Sequence, residues 1–294
     1  MASTQTKIFA ITNQKGGVGK TTTAVNLAAS LAATKRKILL IDLDPQGNAS
    51  MGSGVDKYDL DVTLYEVLTN RAPINIAVQK NLEVGFDLLP SNGDLTAAEV
   101  ELLSFEEKEF QLTKKLAELE TRYDYIFIDC PPSLNMLTVN ALVAAKGVIV
   151  PIQCEYYALE GLSALMNTIA MVAENINPEL KIEGLVRTMY DPRNSLTNDV
   201  SEQLFKHFGE RVYRTVIPRN VRLAEAPSHG LSALGYDPAS KGAKAYLAMA
   251  GELLRREGEL QQQAKTASET MNSAGEELGR SNDQSAIRQA TTVE

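Results

Sequence analysis

Eight consecutive residues, Gln14-Lys15-Gly16-Gly17-Val18-Gly19-Lys20-Thr21, carry the densest chemistry in this 294-residue chain. Glycines let backbone N–H groups close around a phosphate where side chains would collide with it. Lys20 supplies a mobile positive charge for the β- and γ-phosphates of a nucleoside triphosphate, and the Thr21 hydroxyl suits Mg2+. Two carboxylates follow apolar runs further on. Asp44 stands in Asp42-Leu43-Asp44-Pro45-Gln46-Gly47-Asn48, and Asp129 precedes Cys130-Pro131-Pro132-Ser133. A carboxylate beside a triphosphate is electrostatically unfavourable unless it works through water or metal. Asp44 therefore suits the orientation of an attacking water, and Asp129 suits holding Mg2+ through a water or through Thr21.

These residues need elements to position them. Lys7-Ile8-Phe9-Ala10-Ile11-Thr12 reads as a buried strand, and the Ala- and Leu-rich run from Thr22 to Leu31 as a helix. Strand, glycine-rich turn and helix together aim backbone N–H groups and a helix N-terminus at an anion. Lys37 to Asp42 is a second apolar strand, and in open α/β sheets ligands lie beyond such strand ends. Tyr123 to Asp129, Gly147 to Ile152 and Lys181 to Met189 read as further strands, as does Leu82 to Leu89. Helices are expected over Leu60–Leu68 (capped by Asp61 or Thr63), Glu106–Thr121, Leu159–Val172 and Lys241–Arg256. The alternation predicts an α/β fold: one doubly wound, mostly parallel sheet with helices on both faces. Residues 1–256 then form one P-loop domain. Residues 257–294 have no aromatic residue and carry seven acids against three bases, so they read as a polar, disordered tail.

Composition narrows the function classes. No apolar run approaches the ~20 residues of a membrane span, and the polar start does not resemble a secretion signal, so the cytosol is expected. Cys130 and Cys154 lie 24 residues apart, without the spacing of a zinc or iron–sulfur site. The net charge of −8 argues against nucleic acid, but its distribution argues otherwise. Residues 181–256 hold twelve Lys/Arg and eight Asp/Glu, which makes that part +4 and the remainder −12. Arg187, Arg193, Arg211, Arg214, Arg219, Arg222, Lys241 and Lys244 are expected in or near loops and helix ends.

The run K-G-G-V-G-K-T-T departs from the standard loop by having Gln14 in place of glycine and an extra lysine, Lys15. It resembles the deviant Walker A loop of the ParA/MinD superfamily. D-x-D-P-Q-G-N resembles that superfamily's switch I, and D-x-P-P its switch II. Ile217-Pro218-Arg219-Asn220-Val221-Arg222-Leu223-Ala224-Glu225-Ala226-Pro227-Ser228 is similar to the segment of chromosomal ParA/Soj proteins that borders the adenine and contributes to DNA binding. The resemblance implies an ATPase in which Lys15, Gly16, Gly17, Val18, Gly19, Lys20, Thr21 and Thr22 cradle ATP and Pro218, Arg219 and Asn220 border the base. It implies catalysis by Lys15, Lys20 and Asp44, with Lys15 reaching a partner subunit's phosphates in a nucleotide-sandwiched homodimer, and Mg2+ held at Thr21 and Asp129. It further implies non-specific DNA binding through Arg193, Arg219 and Arg222, a ParB-type partner, a nucleoid-associated location, and partition of chromosome or plasmid. A MinD-like ATPase acting on a membrane or scaffold is the alternative, although the tail lacks the basic amphipathic pattern of a membrane anchor. A metabolic, amidotransferase-coupled synthetase is a third reading.

Overall fold

A computed structural model describes residues 6–80 and 82–259. Seven strands form one sheet: β1 (Lys7–Ile11), β2 (Ile38–Asp42), β3 (Asp87–Leu89), β4 (Tyr125–Asp129), β5 (Gly147–Gln153), β6 (Lys181–Tyr190) and β7 (Val212–Pro218). Their order is β3-β2-β4-β1-β5-β6-β7, and every neighbouring pair is parallel. The expectation of a mostly parallel sheet thus holds in a stricter form. The central strands are apolar through their middles, and β2 and β4, each ending in an aspartate, are buried at every position, as strands covered on both faces require.

Helix α1 (Lys20–Ala32) follows β1 through the glycine-rich loop. α2 (Asn48–Gly52) follows β2, and the short α3 (Leu64–Leu68) and α4 (Ile74–Ala77) lead to β3. α5 (Leu95–Glu101) and α6 (Gln111–Ala117) precede β4, α7 (Met136–Ala144) joins β4 to β5, and α8 (Ala158–Asn175) joins β5 to β6. α9 (Ser195–Phe208) leads to β7, and α10 (Val221–Glu225) and α11 (Ala233–Tyr236) follow it.

Three expected elements change their limits substantially, and one strand is new. α3 begins at Leu64, not Leu60, because Thr63 caps it: its side chain accepts from Tyr65 N–H while Glu66 accepts from Thr63 N–H. Only Asp87–Leu89 of the expected 82–89 strand pairs with β2. The expected helix over 106–121 is interrupted at Glu107, whose φ of 50° is left-handed, and shortens to a 3-10 turn and α6. β7 is an addition, since Arg214 and Thr215 make its sequence look too polar for a strand.

The chain divides into two compact units, Met1–Ala250 and Gly251–Glu294. The first holds the whole sheet and ends in helical residues 241–250, with Ala243, Tyr246, Met249 and Ala250 buried. Of the second, residues 251–259 are described, as helix; from residue 260 the expected polar tail lies outside the described residues.

Candidate functional site: a phosphate loop beside a base-sized cavity

The sheet order sets the site. β1 lies between β4 and β5, so the loop after β1 emerges at the strands' carboxyl edge between the loops that follow those two neighbours. In register, Ile11 faces Asp129 and Asp42 faces Asp129, which places the ends of β1, β4 and β2 at one level. Between Ile11 and α1 the chain is pinned by side chains. Asn13 donates to Pro151 O at 2.8 Å and accepts from Lys15 N–H at 3.0 Å, and Thr188 on β6 donates to Val18 O at 2.8 Å. Gly17 and Gly19 have φ of 74° and 86°, which side chains would strain. Gly19 is the N-cap of α1, and no acidic side chain occupies the helix's first turn. Its free N–H groups and its dipole therefore point at the loop uncompensated, which is the physical requirement for an anion site.

Lys20 is buried beneath this loop, with Nζ 3.3 Å from Lys15 O. Burial lowers its pKa, while the charges of Asp129, Asp44 and Cys130 act against that. Asp129 is wholly buried, and among the described residues neither of its oxygens has a hydrogen-bond partner. Burial raises its carboxyl well above the usual range and Asp42 adds to the effect; Thr21 opposes it without completing a hydrogen bond to either oxygen. A buried carboxylate with two free oxygens beside a hydroxyl can accept a hard cation. No group of three His, Cys, Asp or Glu side chains that could hold a metal occurs among the described residues. Such a cation would therefore need phosphate and water oxygens to complete its shell.

Asp42, at the end of β2, went unrecognised as a site residue in the sequence. Its Oδ2 accepts from Ser50 N–H and Ser50 Oγ–H, both at 2.7 Å, and its Oδ1 from Asp44 N–H at 3.3 Å. Burial nevertheless raises its carboxyl to about 6. Asp44 lies one turn beyond the strand. Its Oδ1 caps Gln46 N–H at 2.9 Å, and its carbonyl accepts from Ser91 Oγ at 2.5 Å. Although β4 separates β1 from β2, the turn after Asp42 brings Asp44 near enough to Lys20 for their charges to interact.

Lys15 is exposed, but it is not free in solvent: its Nζ lies 2.5 Å from Glu155 Oε2, just past β5. Beside the α1 N-terminus is a cavity of about 170 Å3. Its lining includes Gly19, Thr22, Thr188, Pro218, Asn220 and Tyr246. Arg219 lines it too, and the buried Asn220 Oδ1 has no partner among the described residues. Tyr246 is held by a 3.1 Å hydrogen bond to Thr23 on α1. The cavity thus joins the phosphate loop to the segment after β7.

The arginines divide. Tyr190 and Pro218 are register partners, so the chain after β6 and the chain after β7 leave the sheet side by side. Arg193 is 87% exposed and forks onto Asp191 at 2.9 and 2.7 Å, which pulls the Asp191 carboxyl down to about 2. Arg222 pairs with Glu225 at 2.7 Å and Asp237 at 3.3 Å, and Arg219 is exposed. Arg187 departs from expectation. It is buried on β6, where it donates to Ser201 Oγ and to the Tyr213 and Arg214 carbonyls and stacks over Phe205, so it braces β6, α9 and β7 from within.

Comparison with known proteins agrees with this geometry. Residues 6–182 match the family described as an AAA domain. The sporulation initiation inhibitor protein Soj of Bacillus subtilis is 50% identical over 84% of this chain and 98% of its own length. The chromosome partitioning protein ParA of Myxococcus xanthus is 49% identical over 85% of this chain and 89% of its own. Among solved structures, cobyrinic acid a,c-diamide synthase from Mycobacterium smegmatis, with bound ATP analog and magnesium, superposes with a TM-score of 0.76. It is 38% identical and covers 86% of this chain and 96% of that one. Half-identity to Soj across almost the whole of that protein, on an all-parallel sheet with a phosphate loop after its central strand, decides the matter: the chain belongs to the ParA/Soj family of P-loop NTPases.

Proposed function

We propose that this chain is a Mg2+-dependent ATPase that dimerises around ATP, binds duplex DNA of any sequence in that state, and drives partition of a chromosome or plasmid together with a ParB-type partner. The observation that carries the reading is the shared segment after β7. Pro218, Arg219 and Asn220 line the base-sized cavity, Arg219 is exposed beside it, and Arg222 follows on α10, paired with Glu225 and Asp237. Occupation of the cavity and the attitude of those arginines are then one structural variable. The partner-free Asn220 Oδ1 offers an acceptor to an exocyclic amino group such as adenine's.

The loop's N–H groups, with Gly16, Gly17, Val18 and Gly19 leaving room for them, bind the phosphates from Lys15 to Thr22. Lys20 neutralises charge developing on the γ-phosphate, joined by Lys15 from a second copy. Asp129 and Thr21 fit a magnesium ion, which would polarise the phosphate oxygens. Asp44, fixed through its carbonyl by Ser91 and through its N–H by Asp42, orients the attacking water. Its position near Lys20 supports that role. Dimerisation would put two sets of Arg193, Arg219 and Arg222 on one particle, so that phosphate contacts act together and affinity depends on nucleotide state.

The 38% identity to a diamide synthase keeps a metabolic synthetase as the second reading. Titration of duplex DNA at two salt concentrations, with and without ATP, separates the two. The partition reading expects ATP-dependent binding that weakens steeply with salt. Equal affinity with and without ATP would remove it.

A further inference from the structure

We propose that the seam at which Gly54 touches Gly230 carries the presence of a terminal phosphate from Asp44 to the arginines after β7. This rests on the DNA-binding ATPase proposed above, and gives that protein a way to tell ATP from ADP.

The base cavity cannot do so. ATP and ADP carry the same adenine, so Pro218, Arg219 and Asn220 would meet the same group before and after hydrolysis. The terminal phosphate would lie at the other end of the nucleotide, between Lys20 and Asp44. A switch that resets on hydrolysis therefore needs a contact between the Asp44 side and the segment that carries Arg219 and Arg222.

The fold contains one. Asp44 and α2 form a block tied by backbone bonds: Gly47 N–H donates to Asp44 O at 2.9 Å, Met51 N–H to Gly47 O at 3.1 Å and Gly54 N–H to Met51 O at 3.1 Å. Ser50, on α2, is held to Asp42 by both its N–H and its hydroxyl. A second block runs from α10 through a 3-10 turn (Ala226–His229). There Ala226 N–H donates to Arg222 O, Gly230 N–H to Pro227 O at 3.1 Å and Leu231 N–H to Ala226 O at 3.2 Å. Ala233 N–H, donating to Asn26 on α1 at 2.8 Å, anchors the far end.

The two blocks meet backbone against backbone. Gly54 and Gly230 are both left-handed, with φ of 84° and 66°. A Cβ on Gly230 would lie 2.6 Å from Gly54 Cα, and one on Gly54 3.1 Å from Gly230 O. Alongside, a Cβ on Gly52 would lie 3.5 Å from Pro227 Cβ. Main chain in direct contact has no rotamer with which to absorb a shift, so a movement of α2 passes to the turn and on to α10.

Three variants test the seam: Gly230→Ala, Gly52→Val, and Gly85→Ala as control. Gly52 is not left-handed, so valine there wedges the seam without backbone strain. Gly85 is left-handed at φ 87°, but its added Cβ would meet nothing nearer than Ala32 Cβ at 3.9 Å. With Mg2+ present, anisotropy of labelled duplex DNA gives affinity with ADP and with a non-hydrolysable ATP analogue. Light scattering gives the mass in each state, and a fluorescent ATP analogue reports nucleotide binding. The wild type should bind duplex more tightly with the ATP analogue. In Gly230→Ala and Gly52→Val the ATP-to-ADP ratio of duplex affinity should fall at least about tenfold, with the wild-type mass and nucleotide affinity within about threefold. Duplex DNA should then favour the ATP analogue over ADP less, by the same factor. Gly85→Ala should keep the wild-type ratio. Equal wild-type affinity in both nucleotide states removes the switch itself, and the seam with it. A wild type that switches, matched by both seam variants, removes only the seam. A ratio lost together with the ATP-state mass or with nucleotide binding assigns the effect to assembly or to the site and overturns the seam, as does an equal loss in Gly85→Ala.

Discussion

Acidifying the nucleotide-free protein from pH 7 to pH 5 should stabilise it. Asp42 is fully buried, and burial lifts its carboxyl from 3.8 to about 6 against the pull of Ser50 and Asp44 N–H. Between those two values the folded chain keeps a proton that the unfolded chain has released. Stability therefore falls as pH rises through that window, and the gain on acidification is complete only below the unfolded value of 3.8. From pH 7 to pH 5 Asp42 alone contributes about 1 kcal/mol. Asp129 acts with the same sign, because burial first and Asp42 second hold its carboxyl well above the ordinary range. Depressed carboxyls such as Asp191, at about 2, lose their contribution only at lower pH and do not mask the effect. For a chain of this size the gain corresponds to an increase in Tm of roughly 2–4 °C. Thermal unfolding followed by circular dichroism at pH 5, 6 and 7 measures it. Asp42→Asn keeps an acceptor for Ser50 and removes the titration, so its profile should be flatter. Saturating Mg-ATP should oppose the trend by favouring ionised Asp129. A nucleotide-free protein that melts lower at pH 5 than at pH 7, or an Asp42→Asn variant with the wild-type slope, would refute the reasoning.

Other substitutions probe separate parts of the site. Asp44→Ala should leave ATP affinity within about threefold and lower the hydrolysis rate at least ~100-fold in single-turnover assays, trapping the DNA-bound state; normal turnover would take Asp44 off the catalytic list. Arg193→Ala and Arg222→Ala should each weaken duplex binding and reduce the slope of log affinity against log salt by about 1, with ATP affinity unchanged. An unchanged slope in both would move the DNA surface elsewhere. At Gly242, an added Cβ would lie 2.6 Å from Leu223 Cγ and 3.0 Å from Asn220 Oδ1, both residues of the base cavity. Gly242→Ala should therefore weaken ATP by about tenfold, roughly 1.4 kcal/mol, while sparing binding of inorganic triphosphate; equal loss of both ligands would mean a general packing defect.

The phosphate loop was legible in the sequence because its chemistry is local. Gly16 to Thr21 are consecutive, and the strand before and helix after them have their own signatures. What depends on distant pairing was not. Nothing in the sequence says that β4 inserts between β1 and β2, yet that insertion sets Asp42 beside Asp129 and makes a strand-end carboxylate part of the site. Asn13 reads as an ordinary loop residue until Pro151 receives its amide, and Lys15 as a loop-edge cation until Glu155, 140 residues on, accepts it. Arg187 shows the reverse error. A cation in a partly polar strand suggests surface, but a hydroxyl and two carbonyls satisfy it inside the fold. The segment after β7 was recognised by its resemblance to relatives, although β7 itself, polar at Arg214 and Thr215, was hidden.

The central claim is that ATP joins two copies of this chain through Lys15, and the molar mass in solution tests it most directly. Light scattering on the nucleotide-free, ADP and ATP forms, with Mg2+ present and Asp44→Ala used to prevent turnover, should give 32.0 kDa for the first two and twice that for the third. Lys15→Ala introduced into the same background should bind ATP and remain at the monomer mass. A single mass in all three nucleotide states, or a Lys15→Ala protein that doubles its mass with ATP, would contradict the account.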